Sequence, residues 1–412
     1  MSEDGRGETY VEIVWKQFRK NRIAVATAFV VLGLFVVAIF APVLASNQPY
    51  WFHDPEGLRF PWLVSLLNPP TAIDFVFNVA LLVTPLCLAA ALLLNRRMAS
   101  RGSPGRRRVG AVTLLFFALL VFAIPLALLF RPPDRYFSRD FKRDQAQGRG
   151  EGVYTLIPYG PMEQDLDIIF KRPLFRKDGD VARYRESQIH WVGTDDSGRD
   201  VLTRLLYGTR ISMTIGVVAV SIYITIGIII GAVAGYFGGK VDMLISRAIE
   251  IVMLFPSLFL ILTIVALIGP SIYVIMVVIG LTAWPTIARL TRGEFLRQRA
   301  IDYVAAARAL GASDTRVMFR HILPNALSPA FVAIPFGIVS AIIIEANLSV
   351  LGFGVRPPAP SWGSILLIAV SNYEKWWLTV FAGLSIFFTV TVFNLVGNGL
   401  RDAMDPRLKG TQ

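Results

Sequence analysis

Long unbroken apolar runs constrain this chain before anything else does. The stretch from about Ile23 to Leu44 carries no charged residue, and it is long enough to cross a bilayer, which takes ~20 residues. Similar runs recur at about 73–94, 109–130, 211–234, 248–268, 271–290, 326–348 and 378–396. Inside a bilayer each backbone N–H and C=O must be paired within the spanning segment, so such runs become helices. The expectation is an all-α polytopic membrane protein with about eight transmembrane helices. Composition agrees: 54% of the 412 residues are hydrophobic, against ~45–50% for soluble domains.

Charge then orients the spans. The formal net charge is +12; in a polytopic chain this marks inner-side loops and lipid headgroup contact rather than nucleic acid. Lys16, Arg19, Lys20 and Arg22 precede the first run, and residues 95–108 hold six arginines and no acid. The positive-inside rule puts both segments, and both termini, in the cytoplasm. Val43-Leu44-Ala45 faintly resembles a signal-peptidase site, but the run before it exceeds the ~7–15 residues of a cleaved leader, so the first span is expected to stay. Cys87 is the sole cysteine, and His53, His190 and His321 are scattered. No metal site, cofactor site or catalytic cluster is expected from them.

One polar, arginine-rich segment interrupts the apolar pattern: residues 293–325, GEFLRQRAIDYVAAARALGASDTRVMFRHILPN. Leu296, Ala300, Tyr303, Ala307 and Leu310 fall at helical spacing and form one apolar stripe. Gly311 sits where a helix ends in a left-handed residue. Ser313 and Asp314 can cap a second short helix through Val317, Met318 and Ile322, closed by Pro324. This reads as a helix–turn–helix hairpin too polar to span; read without further context, it could be a solvated basic loop.

The run Ala305-Ala306-Ala307-Arg308-Ala309-Leu310-Gly311 followed by Ile322-Leu323-Pro324 resembles the EAA loop of ABC-importer permeases. More closely, it is similar to the C-type permease subunit of oligopeptide, dipeptide and nickel importers. The Glu that names the motif is Ala305 here. Two further stretches carry the likeness: Gly193-Thr194-Asp195 through Gly198-Arg199-Asp200, and residues 351–363, LGFGVRPPAPSWG, with a similar tail at 398–407. The resemblance implies a six-span type I ABC-importer permease core, here with an inserted two-span hairpin. It also implies that Ala305, Ala306, Ala307, Leu310, Gly311, Leu323 and Pro324 meet the ATPase. Its expected partners are a second permease subunit in a heterodimer, two cytoplasmic ATP-binding subunits and an extracytoplasmic substrate-binding protein, all at the plasma (inner) membrane of a prokaryote.

The residues place other roles beside this. Asp195 and Asp200 sit among Gly and Ser, where turn and cap roles come before catalysis. Val201, Leu202, Leu205 and Leu206 make a stripe that can lie in the membrane interface before the fourth span. Gly227, Gly231 and Gly235 share one face and allow close helix packing, within this chain or against a partner permease. Pro256 and Pro285 should kink or break their spans. Glu345 lies inside an apolar run, which suggests the translocation path or a hydrogen bond that fixes helix packing. GYFGGK at 235–240 has the wrong spacing for a phosphate loop, so the chain itself should not hydrolyse ATP.

The expected organisation is therefore an amino-terminal segment and first span over 1–45, the inserted hairpin over 46–130, an extracytoplasmic loop over 131–210, and the permease core over 211–412 with the coupling hairpin at 293–324. The 73–130 insertion, lacking acids beyond Asp74, is expected to lie off the transport path. An ion-coupled secondary transporter is the alternative. It would show paired intramembrane carboxylates and internal repeats, and Glu345 alone does not supply them.

Overall fold

The computed structural model describes residues 10–85, 139–176, 189–357 and 359–404. The third run, the arginine loop at 95–108 and Cys87 lie outside these residues. Fifteen helices are used below: α1 Tyr10–Lys20, α2 Arg22–Leu44, α3 Pro61–Leu67, α4 Ala72–Pro85, α5 Phe141–Ala146, α6 Val201–Phe237, α7 Gly239–Leu254, α8 Ser257–Ile268, α9 Ile272–Arg299, α10 Asp302–Ala309, α11 Asp314–Arg316, α12 Leu323–Ala326, α13 Ser328–Val350, α14 Trp362–Ser371 and α15 Trp376–Met404. Among the described residues five helices can cross a membrane: α2, α6, α9, α13 and α15. A sixth arises if α7 and α8, bent by 80° at their junction, form one broken span. The bend falls at Phe255-Pro256, as expected for a proline that cannot donate to a helix.

Several expected boundaries move. The 201–206 stripe is no separate interfacial helix. It opens α6, and Val201, Arg204 and Leu205 are buried. At 37 residues this helix is about 55 Å long, longer than the ~30 Å hydrocarbon layer. The expected short loop at 236–247 is largely helical, as α7. Pro285 does not end its span; α9 runs through it. The last span continues past Val396 to Met404, and its final turns carry α1. There Val14 and Phe18 pack on Ala24 and Ala403.

The core is α6 against α9, α13, α14 and α15. The three spaced glycines face α9 of this same chain. A Cβ added at Gly227 would lie 2.6 Å from Ile287 Cβ, at Gly231 2.5 Å from the Ala288 carbonyl oxygen, and at Gly235 2.5 Å from Phe295 Cβ. Small residues let these backbones close up without lipid between them. Gly231→Val is therefore expected to destabilise the chain by about 1–3 kcal/mol through overpacking. The midpoint of thermal unfolding in detergent measures this, and an unmoved midpoint would contradict the packing. Outside the core, Leu244, Leu254, Phe259 and Leu267 on α7 and α8 are largely exposed, as a chain surrounded by lipid or another apolar subunit permits.

One end of the bundle bears a small polar cap. Strand β1 (Trp51–Asp54) pairs antiparallel with both β2 (Gly57–Arg59) and β3 (Glu151–Val153). Phe52 packs edge-on against Phe141 with ring centroids 5.0 Å apart. Arg139 bridges Asp54 and Asp144 at 3.0 and 2.7 Å, and its hydrogen bond holds the Asp144 carboxyl below the usual carboxylate range. The second pair, β4 (Phe175–Arg176) with β5 (Ile189–His190), leads into α6. The sheet thus joins residues 51–59 to 151–153 across the expected division at 130. The opposite end bears the hairpin built around α10.

Candidate functional site

The hairpin is made by local chain chemistry. Helix α9 stops at Arg299, and the chain turns at Ala300-Ile301 before α10 begins. The expected single stripe from Leu296 to Leu310 is therefore broken, because the turn resets the helical phase. At the other end of α10, Gly311 has φ +82°. Its N–H donates to the Arg308 carbonyl at 2.9 Å, and the Ala312 N–H donates to the Ala307 carbonyl at 3.1 Å. These two bonds satisfy carbonyls that the helix end would leave unpaired. Ser313 and Asp314 open the second arm, but Ser313 makes no side-chain cap. Asp314 instead accepts from the Tyr236 hydroxyl. From Val317 to Ile322 the arm widens into a π-helix before α12. Pro324 accounts for the widening: it has no N–H to donate four residues back, and its ring crowds that carbonyl.

The hairpin has two faces. Val304, Ala307, Val317, Met318 and Ile322 are buried with Phe295, Tyr236, Ala232 and Ala326. That cluster fixes the hairpin to the ends of α6 and α9. Arg299 donates to the Tyr236 carbonyl at 2.7 Å, and the Arg308 guanidinium lies 5.2 Å from the Tyr236 ring centroid. The Tyr303 hydroxyl donates to Gln298 Oε1 at 2.9 Å. On the other face Ala305, Ala306, Gly311 and Pro324 are exposed, and Leu310 and Phe319 are 88% and 60% exposed. Of the seven residues singled out by sequence, Ala307 points inward and Leu323 is half-buried. The structure brings the other five to the surface. Phe319 was missed: three residues before Ile322, it reads by helical spacing as part of the second arm's apolar face, whereas the structure leaves it exposed.

Glu345 lies elsewhere, at the cap end of α13. It is fully buried and accepts from Ser349 Oγ and Ser361 Oγ, both at 2.8 Å. Ser361 also caps α14 in a reciprocal box with Ser364. The carboxylate thereby holds α14 to α13. A crevice of about 390 Å³ lies along the break between α7 and α8, lined by Phe255, Pro256, Thr282 and Pro285 among others, and by Ile344, the neighbour of Glu345. The acidic pair of the 193–200 motif builds structure, as its turn residues suggest. Asp200 caps α6 through the Thr203 N–H at 2.7 Å and meets His190 Nδ1 at 2.9 Å. Asp195 accepts from Arg199 Nε at 2.7 Å and lies 3.3 Å from Arg204 Nε.

Sequence reading missed the most heavily bonded cation among the described residues. Arg210, in α6, is fully buried. It donates to the carbonyls of Ala38 and Ile39 in α2 at 2.6 and 3.2 Å, and to Asp74 and Asn78 in α4 at 2.9 and 3.0 Å. Its position beside an apolar run was the available signal; it reads equally well as the last residue of the preceding loop.

Residues 227–410 match the family described as "Binding-protein-dependent transport system inner membrane component". Residues 9–70 match "N-terminal TM domain of oligopeptide transport permease C". The glutathione transport system permease protein GsiD of Pectobacterium atrosepticum is 38% identical over 281 residues, 68% of this chain and 93% of that protein. The dipeptide transport system permease protein DppC of Escherichia coli K12 is 43% identical over 255 residues, 62% of this chain and 83% of that protein. Among solved structures, an inward-facing MetNI methionine ABC transporter aligns over 49% of this chain and 97% of that one, at 18% identity and a TM-score of 0.40.

Proposed function

We propose a mechanism from one premise: this chain belongs to the binding-protein-dependent transport inner membrane components, as an oligopeptide/dipeptide C-type permease. It is a multi-pass inner-membrane permease subunit of an ATP-driven ABC importer, working with ATPase subunits and a substrate-binding protein. The transported solute is a short peptide. The relatives named for dipeptide, di/tripeptide and glutathione transport support this class.

The observation that carries the mechanism is the two-faced hairpin. Its inner face is fixed by buried apolar contacts to α6 and α9, two helices that cross the bundle. Its outer face offers Ala305, Ala306, Leu310, Gly311 and Phe319 to a partner. A groove in an ATPase subunit would take the apolar side of such a hairpin. Closure of two ATPase subunits on ATP would push the hairpin, and α6 and α9 would carry that motion toward the cap. The second permease subunit forms a heterodimer with this chain and completes the path. Chemistry stays with the partners, since this chain has no phosphate-binding loop. Reconstitution with those partners in proteoliposomes tests the reading: ATP inside the lumen-equivalent of the cytoplasm should drive uptake of Gly-Leu. Uptake driven by an ion gradient without ATP would contradict it and favour the secondary transporter.

The basic hairpin end, with Arg292, Arg297, Arg299, Arg308, Arg316 and Arg320, is assigned to the cytoplasm by the positive-inside rule. The cap then lies outside, and the 73–130 segment adds two spans to the six, making about eight. In a Cys87→Ser background, Ser100→Cys and Ser187→Cys should react with an impermeant thiol reagent from opposite sides of intact membranes. Reaction of both from one side would contradict the two-span insertion.

A further inference from the structure

Helix α2 carries one face that no described residue covers. Arg22, Ala26, Phe29, Gly33 and Val36 are exposed. They recur four and three residues apart, so they form a single stripe along the helix. The opposite side turns inward: Val31, Leu34 and Phe35 pack on the core, and Ala24, Ala38 and Ala41 are buried. The apolar part of the stripe is therefore the side that α2 presents to lipid chains. Nothing lies within 4 Å of a Cβ built at Gly33, which leaves a notch between Phe29 and Val36. Arg22 ends the stripe, two turns or about 10 Å from Phe29 along the axis.

At that end the chain turns a corner. Asn21 separates α1 from α2, and its side chain caps α2 by accepting from the Ala24 N–H at 3.1 Å. Helix α1 is held in place, because Val14 and Phe18 are buried against Ala24 and Ala403. Trp15 and Arg19, one turn apart on α1, are left facing outward. Trp15 is 60% exposed, yet its ring stacks on Phe18 with centroids 6.0 Å apart. An exposed tryptophan beside the end of a span suits the membrane interface, where its ring is apolar and its N–H is wet. Lys16 and Lys20 have partners, whereas neither Arg19 nor Arg22 has a hydrogen bond or ion pair among the described residues. Two unengaged guanidiniums thus flank the corner, three positions apart, directly above a lipid-facing stripe. A guanidinium matches the geometry of phosphate oxygens.

We infer that the corner between α1 and α2 binds an anionic phospholipid. Arg19 and Arg22 hold its phosphate, Trp15 lies at the headgroup layer, and an acyl chain runs along Phe29, Gly33 and Val36. Basic residues beside an amphipathic helix draw anionic lipid in this way. The leaflet is the cytoplasmic one on the orientation proposed above. That orientation has its own cysteine-labelling test; its reversal would move the site to the other leaflet without removing it.

The test is native mass spectrometry of the full chain released from detergent micelles, with three probes: palmitoyl-oleoyl phosphatidylglycerol, the matching phosphatidylcholine, and glycerol 3-phosphate. Phosphatidylglycerol should bind saturably and about tenfold more tightly than phosphatidylcholine. Arg19→Gln and Arg22→Gln should each weaken it about fivefold, the effect of one cation at the headgroup layer. Arg19→Lys with Arg22→Lys keeps both charges and should retain most of the affinity. Arg247→Gln with Arg297→Gln removes two exposed arginines already paired with Glu250 and Glu294, and should leave the affinity at the parent value. A phosphatidylglycerol carrying a diazirine in its acyl chain should label residues 26–36. The Arg19 and Arg22 variants change exposed side chains, and an unchanged thermal midpoint confirms their fold; the labelling of the parent chain does not depend on them. Equal affinity for the two lipids, an equal loss in the Arg247 and Arg297 variant, or labelling confined to other spans would overturn the site. Displacement of the lipid by glycerol 3-phosphate at comparable concentration would show a free-phosphate site and overturn the assignment to lipid.

Discussion

Asp74→Ala is expected to destabilise the folded chain by about 3–5 kcal/mol, because it leaves a buried cation without its counter-charge. Arg210 is fully buried and its guanidinium meets Asp74 at 2.9 Å. Taking an ion from water costs several kcal/mol, and only a well-placed opposite charge with full hydrogen bonding offsets that cost. After the substitution, Arg210 keeps Asn78 and the carbonyls of Ala38 and Ile39, which are dipoles rather than charges. The thermal midpoint in detergent should fall sharply. Arg210→Met placed on the same chain should restore most of the loss, since it removes the stranded cation while filling the volume. A single variant that melts like the parent would show that the pair does not hold α4 to α6. The same geometry bears on the 73–130 insertion. A deletion starting at 73 removes both Asp74 and Asn78, so it is expected to weaken the core even with the transport path itself untouched.

Gly311→Val is expected to leave the spans intact and to uncouple transport from ATP hydrolysis. Gly311 has φ +82°, a conformation that costs a β-branched residue roughly 1–2 kcal/mol and that glycine adopts freely. Nothing lies within 4 Å of a Cβ built there. The strain is therefore in the backbone alone, and the cheapest relief is to lose the two closing bonds to Ala307 and Arg308. That would change the angle between the arms and move Ala305, Ala306 and Leu310 away from Phe319. Expression and thermal midpoint should stay near the parent, while uptake per ATP hydrolysed in proteoliposomes falls at least tenfold. Gly311→Asn, which tolerates positive φ better, should recover part of the coupling. Full coupling in the valine variant would contradict a role for this turn.

How far the sequence carried depends on the kind of interaction. The spans were legible because a 20-residue apolar run has few other fates, and the bend at Pro256 was legible because proline lacks an N–H. The Gly311 turn was legible for the same local reason. The limits of the helices were less so: α6 begins at Val201 because its first turns are buried by the cap and α14, a tertiary fact that amphipathic spacing cannot reveal. The Ala300-Ile301 break lies inside a good helical pattern, and only the packing of Val304 and Ala307 onto Phe295 and Tyr236 shows where the phase resets. Arg210 with Asp74 joins residues 136 positions apart. Neither residue's neighbourhood in sequence points to the other. Glu345 was flagged by its burial cost, and the structure adds its partners Ser349 and Ser361.

Site-specific photocrosslinking tests the central claim most directly. A photoreactive phenylalanine analogue is placed in turn at Leu310, Phe319 and Val304 in the assembled importer, and the crosslinked partners are identified by mass. Leu310 and Phe319 are 88% and 60% exposed and Val304 is fully buried. The hairpin mechanism predicts crosslinks to an ATPase subunit from the first two positions and none from the third. Capture of lipid alone, or of no ATPase peptide, from both Leu310 and Phe319 would contradict it.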